Sequence, residues 1–544
     1  MFALNQENEL RQLTVSLKNK TFSSDEIHQL RQIIEYADWC YYVQDNPLLA
    51  DVEYDALFAQ LKKLEEKHPE LITTNSPTQR VARGLHSEFV SVTHWVPMLS
   101  LENSYNAEDL IDWDRKCREL SNTSEIEYCV EPKYDGASIS LLYEDDQLLR
   151  AATRGNGVEG DDITTNAKQI RSIPLHSPLH LRNTRQIEIR GEVVLTKKNF
   201  AAYNRLLIEN NMPPLANARN AASGSLRIKD PAEVAKRNLD VFLYHVSYRT
   251  ADDDLVPDKY WHTHYQSLQS LSELGFKTSL ANTKRFDNIE GVIEYVQEVE
   301  NKRDDYPYEI DGMVIKVNRL DLQDKIGQTS HHPRWAIAFK FKARQATSKL
   351  LGIEYQVGRT GSVTPVAKIE PVAVGGVTIS SISLFNEDVI REKNLMIGDS
   401  ILVERAGDVI PYIVKSFAEL RNGNESPIQF PTVCPVCVSP LVKPDGEAVA
   451  RCMNYHCKAQ SVERIIHFTS KNAMDIRGLG DAIVRKFYDE KFIQTIADIY
   501  CLPYEKIGLL DGFGEKSIQN LKESIEKSKS QSLNRLLFGL GIRY

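Results

Sequence analysis

Hydrophobic and polar residues alternate with several different periods along the chain, and each change of period marks a new segment. Residues 5–72 show a helical period, contain no glycine and have their first proline at Pro47. Residues 76–342 alternate helical stretches with strand-like runs such as IEYCV, IEIRGEVVL and DGMVIKV. Residues 345–430 contain short strands between glycine-rich turns, which is typical of a small β-barrel, and residues 459–544 are helical again. The pattern predicts a multidomain α+β protein with helical segments at both ends.

The length and composition agree with this division and exclude several classes of protein. A chain of 544 residues predicts about three to five domains, and 42% hydrophobic with 26% charged residues is ordinary for a globular protein. The longest uncharged stretch, residues 371–386, contains Gly, Ser, Thr and Asn, so it does not predict a transmembrane helix. The first residues lack the basic and apolar regions of a signal peptide. We therefore expect a cytoplasmic protein with no membrane partner.

The net charge of −9 by itself argues against a polyanionic partner, but the charge is unevenly distributed. Residues 334–349 include five basic side chains and no acidic one. A local basic surface, rather than the total charge, determines where a nucleic acid docks. This stretch is compatible either with nucleic-acid binding or with an ordinary solvated surface.

Four of the eight cysteines form two closely spaced pairs, in CPVC and CMNYHC. A C-x2-C pair followed by a C-x4-C pair has the spacing of a Zn2+ site, in which four thiolates surround the ion tetrahedrally. Four protein ligands leave no open position for a substrate, so such a site would be structural. Four unrelated buried thiols, or His456 in place of one cysteine, are the alternatives. The predicted ligands, in a zinc module at 431–458, are Cys434, Cys437, Cys452 and Cys457.

Three Gly-x-Gly triplets interrupt the last helical segment, at 478–480, 512–514 and 539–541. Such a triplet before a helix exposes backbone N–H groups that bind a phosphate without reading a base. One triplet alone would be a helix cap, whereas three suggest a helix–hairpin–helix array on the DNA backbone. A further pattern, G-x-G-x-x-G at 155–160, matches the dinucleotide fingerprint. The residues after it, DDITTN, are too polar for the apolar helix that this fingerprint requires, so we reject it.

Five motifs in the second segment combine into one candidate reaction centre. The first is Glu-Pro-Lys-Tyr-Asp-Gly at 131–136, in which the amine of Lys133 can form a phosphoramidate with a nucleotide. A free lysine has a pKa of about 10.4 and must lose its proton before it attacks. Nearby cations, here Lys316, Lys340 and a bound Mg2+, would lower that pKa. The other motifs are Arg154-Gly155, Arg190-Gly191-Glu192, residues 309–316 and residues 335–342.

Together these motifs resemble those of the nucleotidyltransferases that include polynucleotide ligases and capping enzymes. With the zinc module, the Gly-x-Gly array and stretches such as VPMLSLEN and ARNAASGSLR, the whole chain resembles the bacterial NAD-dependent DNA ligases. That family usually continues into a BRCT domain, so this chain is expected to lack the end of the last shared domain and the BRCT domain. The resemblance implies a helical subdomain for nicotinamide mononucleotide (NMN) at 1–75, a nucleotidyltransferase domain with an ATP-grasp-like mixed sheet at 76–342, an OB-fold at 343–430, the zinc module at 431–458 and a truncated helix–hairpin–helix domain at 459–544.

The resemblance also implies a reaction, in DNA replication and repair. Lys133 would take AMP from NAD+ and expel NMN, AMP would pass to the 5′-phosphate of a nick, and the 3′-hydroxyl would then seal the strand. Mg2+ or Mn2+ would neutralise phosphate charge. The implied roles are adenine contact for Glu131, ribose contact for Glu192, stacking for Tyr244, ribose or phosphate contact for Arg154, α-phosphate contact for Lys316 and Lys340, positioning of the lysine or the metal for Asp135 and Asp311, and contact near the adenosine for Ser100 and Leu101.

The N-terminal helical segment resembles the NMN clamp of the same family. Its aromatic rings would stack on the cationic pyridinium ring, and its carboxylates would complement the positive charge. The clamp residues are Tyr41, Tyr42, Asp51, Tyr54 and Asp55. The expected partner is nicked duplex DNA, bound through its backbone by a monomer. The residues that match positions gripping the phosphate of the nick or the adenylate, with surface salt bridges as the alternative, are Arg219, Arg227 and Arg303.

Two other interpretations are weighed against this resemblance. The first is an RNA ligase or a capping enzyme of the same superfamily, against which the clamp and the Gly-x-Gly array argue. The second is a scaffold that binds nicks without catalysis. The intact set Lys133, Asp135, Glu192, Lys316 and Lys340 argues against a scaffold.

Overall fold

The computed structural model divides the chain into two compact units, Met1–Lys342 and Ala343–Tyr544. Each unit has hydrophobic cores of its own. Within the described residues no helix is long and apolar enough to cross a membrane. The described residues are 4–18, 20–44, 48–73, 76–80, 89–251, 254–257, 261–342, 344–374, 377–406, 410–444 and 446–542.

The first unit begins with three helices, α1 (Leu4–Leu17), α2 (Ile27–Tyr42) and α3 (Asp51–Lys67). Their apolar residues recur at helical spacing, so that Leu30 and Ile34 share a fully buried cluster with Leu61. Beside it, Arg31 pairs with Glu65 at 2.6 Å, which compensates two charges that are costly to bury alone. The predicted helical N-terminal domain is confirmed.

Two five-stranded sheets form the body of the first unit. Its strands are β1 (Ser91–Thr93), β2 (Glu102–Ser104), β3 (Tyr128–Tyr134), β4 (Ala137–Glu144), β5 (Gln147–Thr153), β6 (Glu159–Asp161), β7 (Gln186–Val194), β8 (Asp240–Ala251), β9 (Asp254–Pro257), β10 (Lys284–Phe286), β11 (Ile310–Val317) and β12 (Ala336–Lys340). One sheet has the order β10-β3-β11-β12-β2 and the other the order β5-β4-β7-β8-β9, while β1 pairs with β6. The β12–β2 pair is parallel, which makes the first sheet mixed.

Helices cover these sheets and complete two separate cores, one for each sheet. The segments with apolar periodicity become the longer helices, as in α10, where Asn288 caps the first turn and Val292, Val296 and Val299 face inward. The helices are α4 (Ala107–Ser121), α5 (Thr164–Ala167), α6 (Lys197–Glu209), α7 (Ala218–Ser225), α8 (Pro231–Ala235), α9 (His264–Glu273), α10 (Ile289–Asn301) and α11 (Leu320–Ile326).

The register of β3, β11 and β12 positions the chemistry. Gly312 of β11 is paired with Lys133 on one side and with Lys340 on the other. A Cβ atom at Gly312 would lie 2.0 Å from the carbonyl oxygen of Phe339, so the close approach of these strands requires glycine there. Side chains alternate along a strand, so Glu131 and Lys133 of β3 lie on the same face.

The second unit begins with a curled sheet of order β15-β14-β13-β17-β18, whose two outer strands also contact each other. This closure around one apolar core confirms the predicted OB-fold. The elements are β13 (Gln345–Val357), β14 (Val363–Val374), β15 (Val377–Ser383), α12 (Glu387–Glu392), β16 (Met396–Ile397), β17 (Ser400–Ala406), β18 (Ile410–Ser416) and β19 (Ser426–Pro427).

A short hairpin and five helices complete the second unit. The middle residues of the first two Gly-x-Gly triplets, Leu479 and Phe513, pack into the helical core, whereas Gly480 and Gly514 are exposed N-caps of α14 and α16. The third triplet begins at Gly539, where α17 ends. The elements are β20 (Leu441–Val442), β21 (Arg451–Cys452), α13 (Lys458–Thr469), α14 (Asp481–Asp489), α15 (Tyr504–Ile507), α16 (Glu515–Ser528) and α17 (Leu533–Gly539).

Candidate active site

The first unit contains a cavity of about 370 Å³ that collects most of the residues predicted to act on the nucleotide. Its walls include residues of seven strands, β2, β3, β4, β7, β8, β11 and β12, and the segment 96–101. A volume of this size is ordinary for a site that binds a small molecule or cofactor. The predicted residues that line the cavity are Ser100, Leu101, Glu131, Lys133, Arg154, Glu192, Arg219, Tyr244, Lys316 and Lys340.

At one end of the cavity a single carboxylate holds two lysines. Lys133 Nζ donates to both oxygens of Asp311, at 2.8 and 2.9 Å, and Lys340 Nζ donates to Oδ2 at 2.7 Å. Burial raises the pKa of Asp311, but the two ammonium groups outweigh it and leave that pKa below its ordinary value. Asp311 therefore stays ionised and orients the amine of Lys133.

The position of Lys316 adds a contact that the sequence did not predict. We expected Lys316 to act with Lys340 on the α-phosphate. In the structure Lys316 pairs with Cys129 of β3, several residues along the strand from the position opposite Lys133. Its Nζ lies 2.8 Å from Glu131 Oε1 and donates to the carbonyl oxygen of Tyr244 at 2.9 Å. Lys316 therefore belongs to the Glu131 end of the cavity, because strand register separates it from the nucleophile.

Glu131 is 2% exposed and is surrounded by donors. Besides Lys316, it contacts His264 Nε2 at 2.6 Å and accepts from Ser279 Oγ at 2.9 Å. Burial alone would raise the pKa of Glu131, but Lys316 and His264 lower it to about 2. His264 and Ser279 were not predicted from the sequence, since neither lies in a recognisable motif and both are far from Glu131 along the chain.

Two further carboxylates lie near Lys133. Asp135 accepts from Arg219 Nη1 at 2.6 Å, and Glu192 accepts from Ser138 Oγ at 2.9 Å. Burial raises the pKa of Glu192 to about 7, and the hydrogen bond from Ser138 only partly opposes this. Glu192 thus changes its charge near neutral pH, whereas Glu131 does not.

The segment 96–101 forms one wall of the cavity and is tied down by the loop that carries the G-x-G-x-x-G pattern. Met98 N donates to the carbonyl oxygen of Gly157 at 2.8 Å, and Arg154 Nη2 donates to Ser100 Oγ at 2.7 Å. Gly157 has a φ of +93°, and a Cβ atom there would lie 3.0 Å from the carbonyl oxygen of Met98. The glycine pattern therefore lets the loop approach this wall closely.

Several of the residues predicted to bind NAD+ or DNA lie outside the cavity. Arg227 pairs with Asp161 at 2.9 Å, and Arg303 Nη1 donates to the carbonyl oxygen of Lys342 at 3.0 Å. Tyr41 is half exposed, Tyr54 donates to Asp38 at 2.8 Å, and Asp55 is exposed. No described residue of the N-terminal helices lines the cavity. The side chains of Tyr42 and Asp51 lie outside the described residues.

The four paired cysteines of the second unit form one cluster. All four Sγ atoms lie within 4.8 Å of one another, with Cys434 at 3.9 Å from Cys457 and Cys437 at 3.5 Å from Cys452. Tetrahedral Zn2+ with Zn–S bonds of about 2.3 Å separates its sulfur ligands by about 3.8 Å. The cluster therefore has the dimensions of a Zn2+ site, and His456 is not among its members.

Four family models match the chain in the order of its domains. They are described as the DNA ligase-like N-terminal NAD+-binding domain, matching residues 20–82, and as the NAD-dependent DNA ligase adenylation domain (86–344), OB-fold domain (347–425) and C4 zinc finger domain (433–459). These matches confirm NAD+ and Zn2+ as cofactors.

Curated relatives named DNA ligase match over nearly the whole chain. The protein of Persephonella marina is 58% identical over 95% of this chain and 73% of its own length. The Aquifex aeolicus protein is 51% identical over 100% of this chain and 76% of its own length. The Bacillus subtilis protein is 47% identical over 97% of this chain and 77% of its own length. The chain therefore belongs to the NAD-dependent DNA ligases, enzymes that form phosphodiester bonds in DNA with NAD+ and release AMP and NMN.

Proposed function

We propose that this ligase seals nicks between a 5′-phosphate and a 3′-hydroxyl through an AMP adduct on Lys133. The observation that carries this proposal is the placement of the Lys133 amine, held by Asp311 beside Lys340, in the same cavity as Glu131, Glu192 and Tyr244. Lys133 loses a proton to solvent, and its Nζ forms a P–N bond with the α-phosphate of NAD+ while the P–O bond to NMN breaks and NMN leaves. Lys340, a fixed cation next to the nucleophile, stabilises the charge that develops on the phosphate.

The rest of the cavity would hold the adenosine. Glu131 and Lys316 contact the adenine edge, Tyr244 stacks on the base, and Glu192 accepts from the ribose hydroxyls. Arg154 and Ser100, joined by their hydrogen bond, would steady the ribose or the phosphate from the wall at 96–101. Leu101 lines the same wall.

We propose that Mg2+ acts at the nucleophile end of this cavity. Carboxylate oxygens are the ligands that Mg2+ prefers, but both oxygens of Asp311 accept from Lys133 or Lys340, and Asp135 accepts from Arg219. Asp135 and Asp311 would therefore hold the ion only once these cations turn to the phosphates of NAD+. When bound, the ion would neutralise charge on the transferred phosphate.

The N-terminal helices would bind the NMN half of NAD+ through Tyr41, Tyr42, Asp51, Tyr54 and Asp55. None of the described members of this set lines the cavity, so the role requires these helices to change position when NAD+ binds. NMN release would then leave room for DNA.

The protein binds DNA, and we propose that it recognises a nick mainly through the backbone and acts as a monomer in the cytoplasm. Arg219 lines the cavity and would reach the adenylate. Arg227 and Arg303 lie outside the cavity and would contact the DNA strand there. In the second unit, no described atom lies within 4 Å of the Cβ position of Gly480 or Gly514. The fold itself does not need glycine at these two N-caps. We therefore attribute the two glycines to the close approach of a DNA phosphate.

Single-turnover chemistry tests the proposed function. Protein stripped of AMP, then incubated with NAD+ and a nicked duplex labelled at the 5′-phosphate, should convert the label first to AMP-capped DNA and then to sealed strand. ATP in place of NAD+ should give no product. Product with ATP, or sealing without an AMP-capped intermediate, would contradict the proposal.

Gly514→Ser is expected to weaken DNA binding without weakening the fold. Serine is at least as good an N-cap as glycine, so the free energy of unfolding should stay the same or rise by a few tenths of a kcal/mol. The hydroxymethyl group occupies the phosphate position, and the Kd for nicked duplex should rise about five- to tenfold. Fluorescence anisotropy measures this, with Gln519→Ser, exposed on the same helix, as the control. Equal Kd values for both variants would show that the triplet does not touch DNA.

The raised pKa of Glu192 predicts pH-dependent affinity for NAD+. The ionised carboxylate is the better acceptor for ribose hydroxyls, so the bound state favours loss of the proton. The affinity for NAD+ should therefore increase by up to about tenfold from pH 6 to pH 8, because Glu192 is mostly protonated at pH 6 and mostly ionised at pH 8. Glu192→Gln should abolish this dependence, whereas Glu298→Gln on the surface should keep it. Calorimetric titration with NAD+ in the absence of Mg2+ measures the effect, and an unchanged pH profile for Glu192→Gln would refute it.

A further inference from the structure

A buried polar cluster lies at the Glu131 end of the cavity and includes two residues to which the reaction assigns no role. His264 is the first residue of α9 and is 1% exposed. Its Nε2 atom lies 2.6 Å from Glu131 Oε1 and 3.1 Å from Lys316 Nζ. Ser279 donates to the other oxygen, Glu131 Oε2, at 2.9 Å.

The geometry determines where the protons are. A ring nitrogen 2.6 Å from a carboxylate oxygen needs a proton between the two atoms, so Nε2 carries hydrogen and donates to Glu131. Burial and the charge of Lys316 both lower the pKa of His264, so the imidazole is neutral. Lys316 uses its hydrogens on Glu131 and on the carbonyl oxygen of Tyr244.

The cluster is not a metal centre. Cys129, Glu131 and His264 lie close enough together to hold a cation. The ammonium group of Lys316, however, already lies within 3.1 Å of both Glu131 and His264, where an ion would have to bind. The positive charge in this site is therefore supplied by the chain itself.

We propose that His264 is a positioning residue for base recognition, which holds Glu131 so that its carboxylate accepts a hydrogen bond from the 6-amino group of adenine. A carboxylate has about four acceptor positions. His264 and Lys316 occupy the two acceptor positions on Oε1, and Ser279 occupies one of the two on Oε2. One acceptor position on Oε2 therefore remains, and Glu131 lines the cavity. A base with a donor at this point is favoured, and a base with a carbonyl oxygen there is repelled. This inference rests on the proposed adenylation of Lys133.

The experiment compares NAD+ with nicotinamide hypoxanthine dinucleotide, in which a carbonyl oxygen replaces the 6-amino group. Initial rates of covalent nucleotide attachment, measured by intact-protein mass, give kcat and KM for each dinucleotide. The parent should prefer NAD+. In His264→Ala the KM for NAD+ should rise about tenfold, as expected for loss of a hydrogen bond to a charged group, while the KM for the hypoxanthine dinucleotide changes little. The preference for adenine therefore shrinks.

Three variants separate positioning from general stability. His264→Gln keeps a donor and should restore the preference, and His264→Leu keeps bulk without a donor and serves if the alanine variant does not fold. Gln269→Ala changes an exposed side chain of the same helix and should match the parent. Equal losses for both dinucleotides in His264→Ala or His264→Leu would overturn the inference and leave the proposed function intact. Absence of any adduct in the parent would overturn the proposed function.

Discussion

Lys133→Ala is expected to abolish AMP attachment and the sealing of ordinary nicks, with a loss of at least about a thousandfold. Lys316 and Lys340 also line the cavity, but we expect neither to replace the nucleophile. Lys316 pairs with Glu131, and Lys340 lies on β12, two strands away from Lys133 on β3. Intact-protein mass after incubation of AMP-free protein with NAD+ and Mg2+ checks the adduct. Lys302→Ala, at the exposed C-cap of α10, is the matched control and should gain one AMP.

The same variant distinguishes a lost nucleophile from a damaged site. A nick that already carries AMP on its 5′-phosphate needs no lysine adduct, so Lys133→Ala should still join such a nick at a measurable rate. An AMP gain by Lys133→Ala would place the nucleophile elsewhere. Failure on the AMP-capped nick would mean that Lys133 also supports the final step.

Cys452→Ala is expected to release zinc and to remove nick sealing while AMP attachment to Lys133 persists. Structural Zn2+ in small modules contributes on the order of 10–16 kcal/mol to folding, so a lost ligand unfolds the module. The nucleotide cavity lies wholly within the first unit, and this is why its chemistry should survive. Zinc content by mass spectrometry, AMP attachment and sealing are measured in parallel.

Cys501→Ala provides the comparison for this prediction. Cys501 is an exposed thiol of the same unit and lies outside the four-cysteine cluster. It should retain one zinc ion and full sealing activity. Normal sealing by zinc-free Cys452→Ala would show that the module is dispensable for DNA joining.

The sequence predicted the domain order and most of the cavity because both depend on local patterns. Strand-like runs, the cysteine spacing and the residues around Lys133 are all readable within short stretches. Contacts between distant segments are not readable in this way. His264 meets Glu131 because α9 begins beside β3. The contact of Lys316 with Glu131 was likewise not predicted, because strand register cannot be inferred from one strand. The N-terminal clamp residues illustrate a third limit, since a pattern does not specify where a helical domain lies.

The two carboxylates that we propose as adenosine contacts have consequences for the design of inhibitors. Glu131, with its pKa of about 2, stays an anion throughout the physiological range, so a neutral heteroaromatic amine that donates to it should keep its affinity in acidic and neutral compartments alike. A group aimed at Glu192, with its pKa of about 7, would bind with a strength that varies from one compartment to another. A compound that must work across a range of pH should therefore be anchored at the Glu131 end.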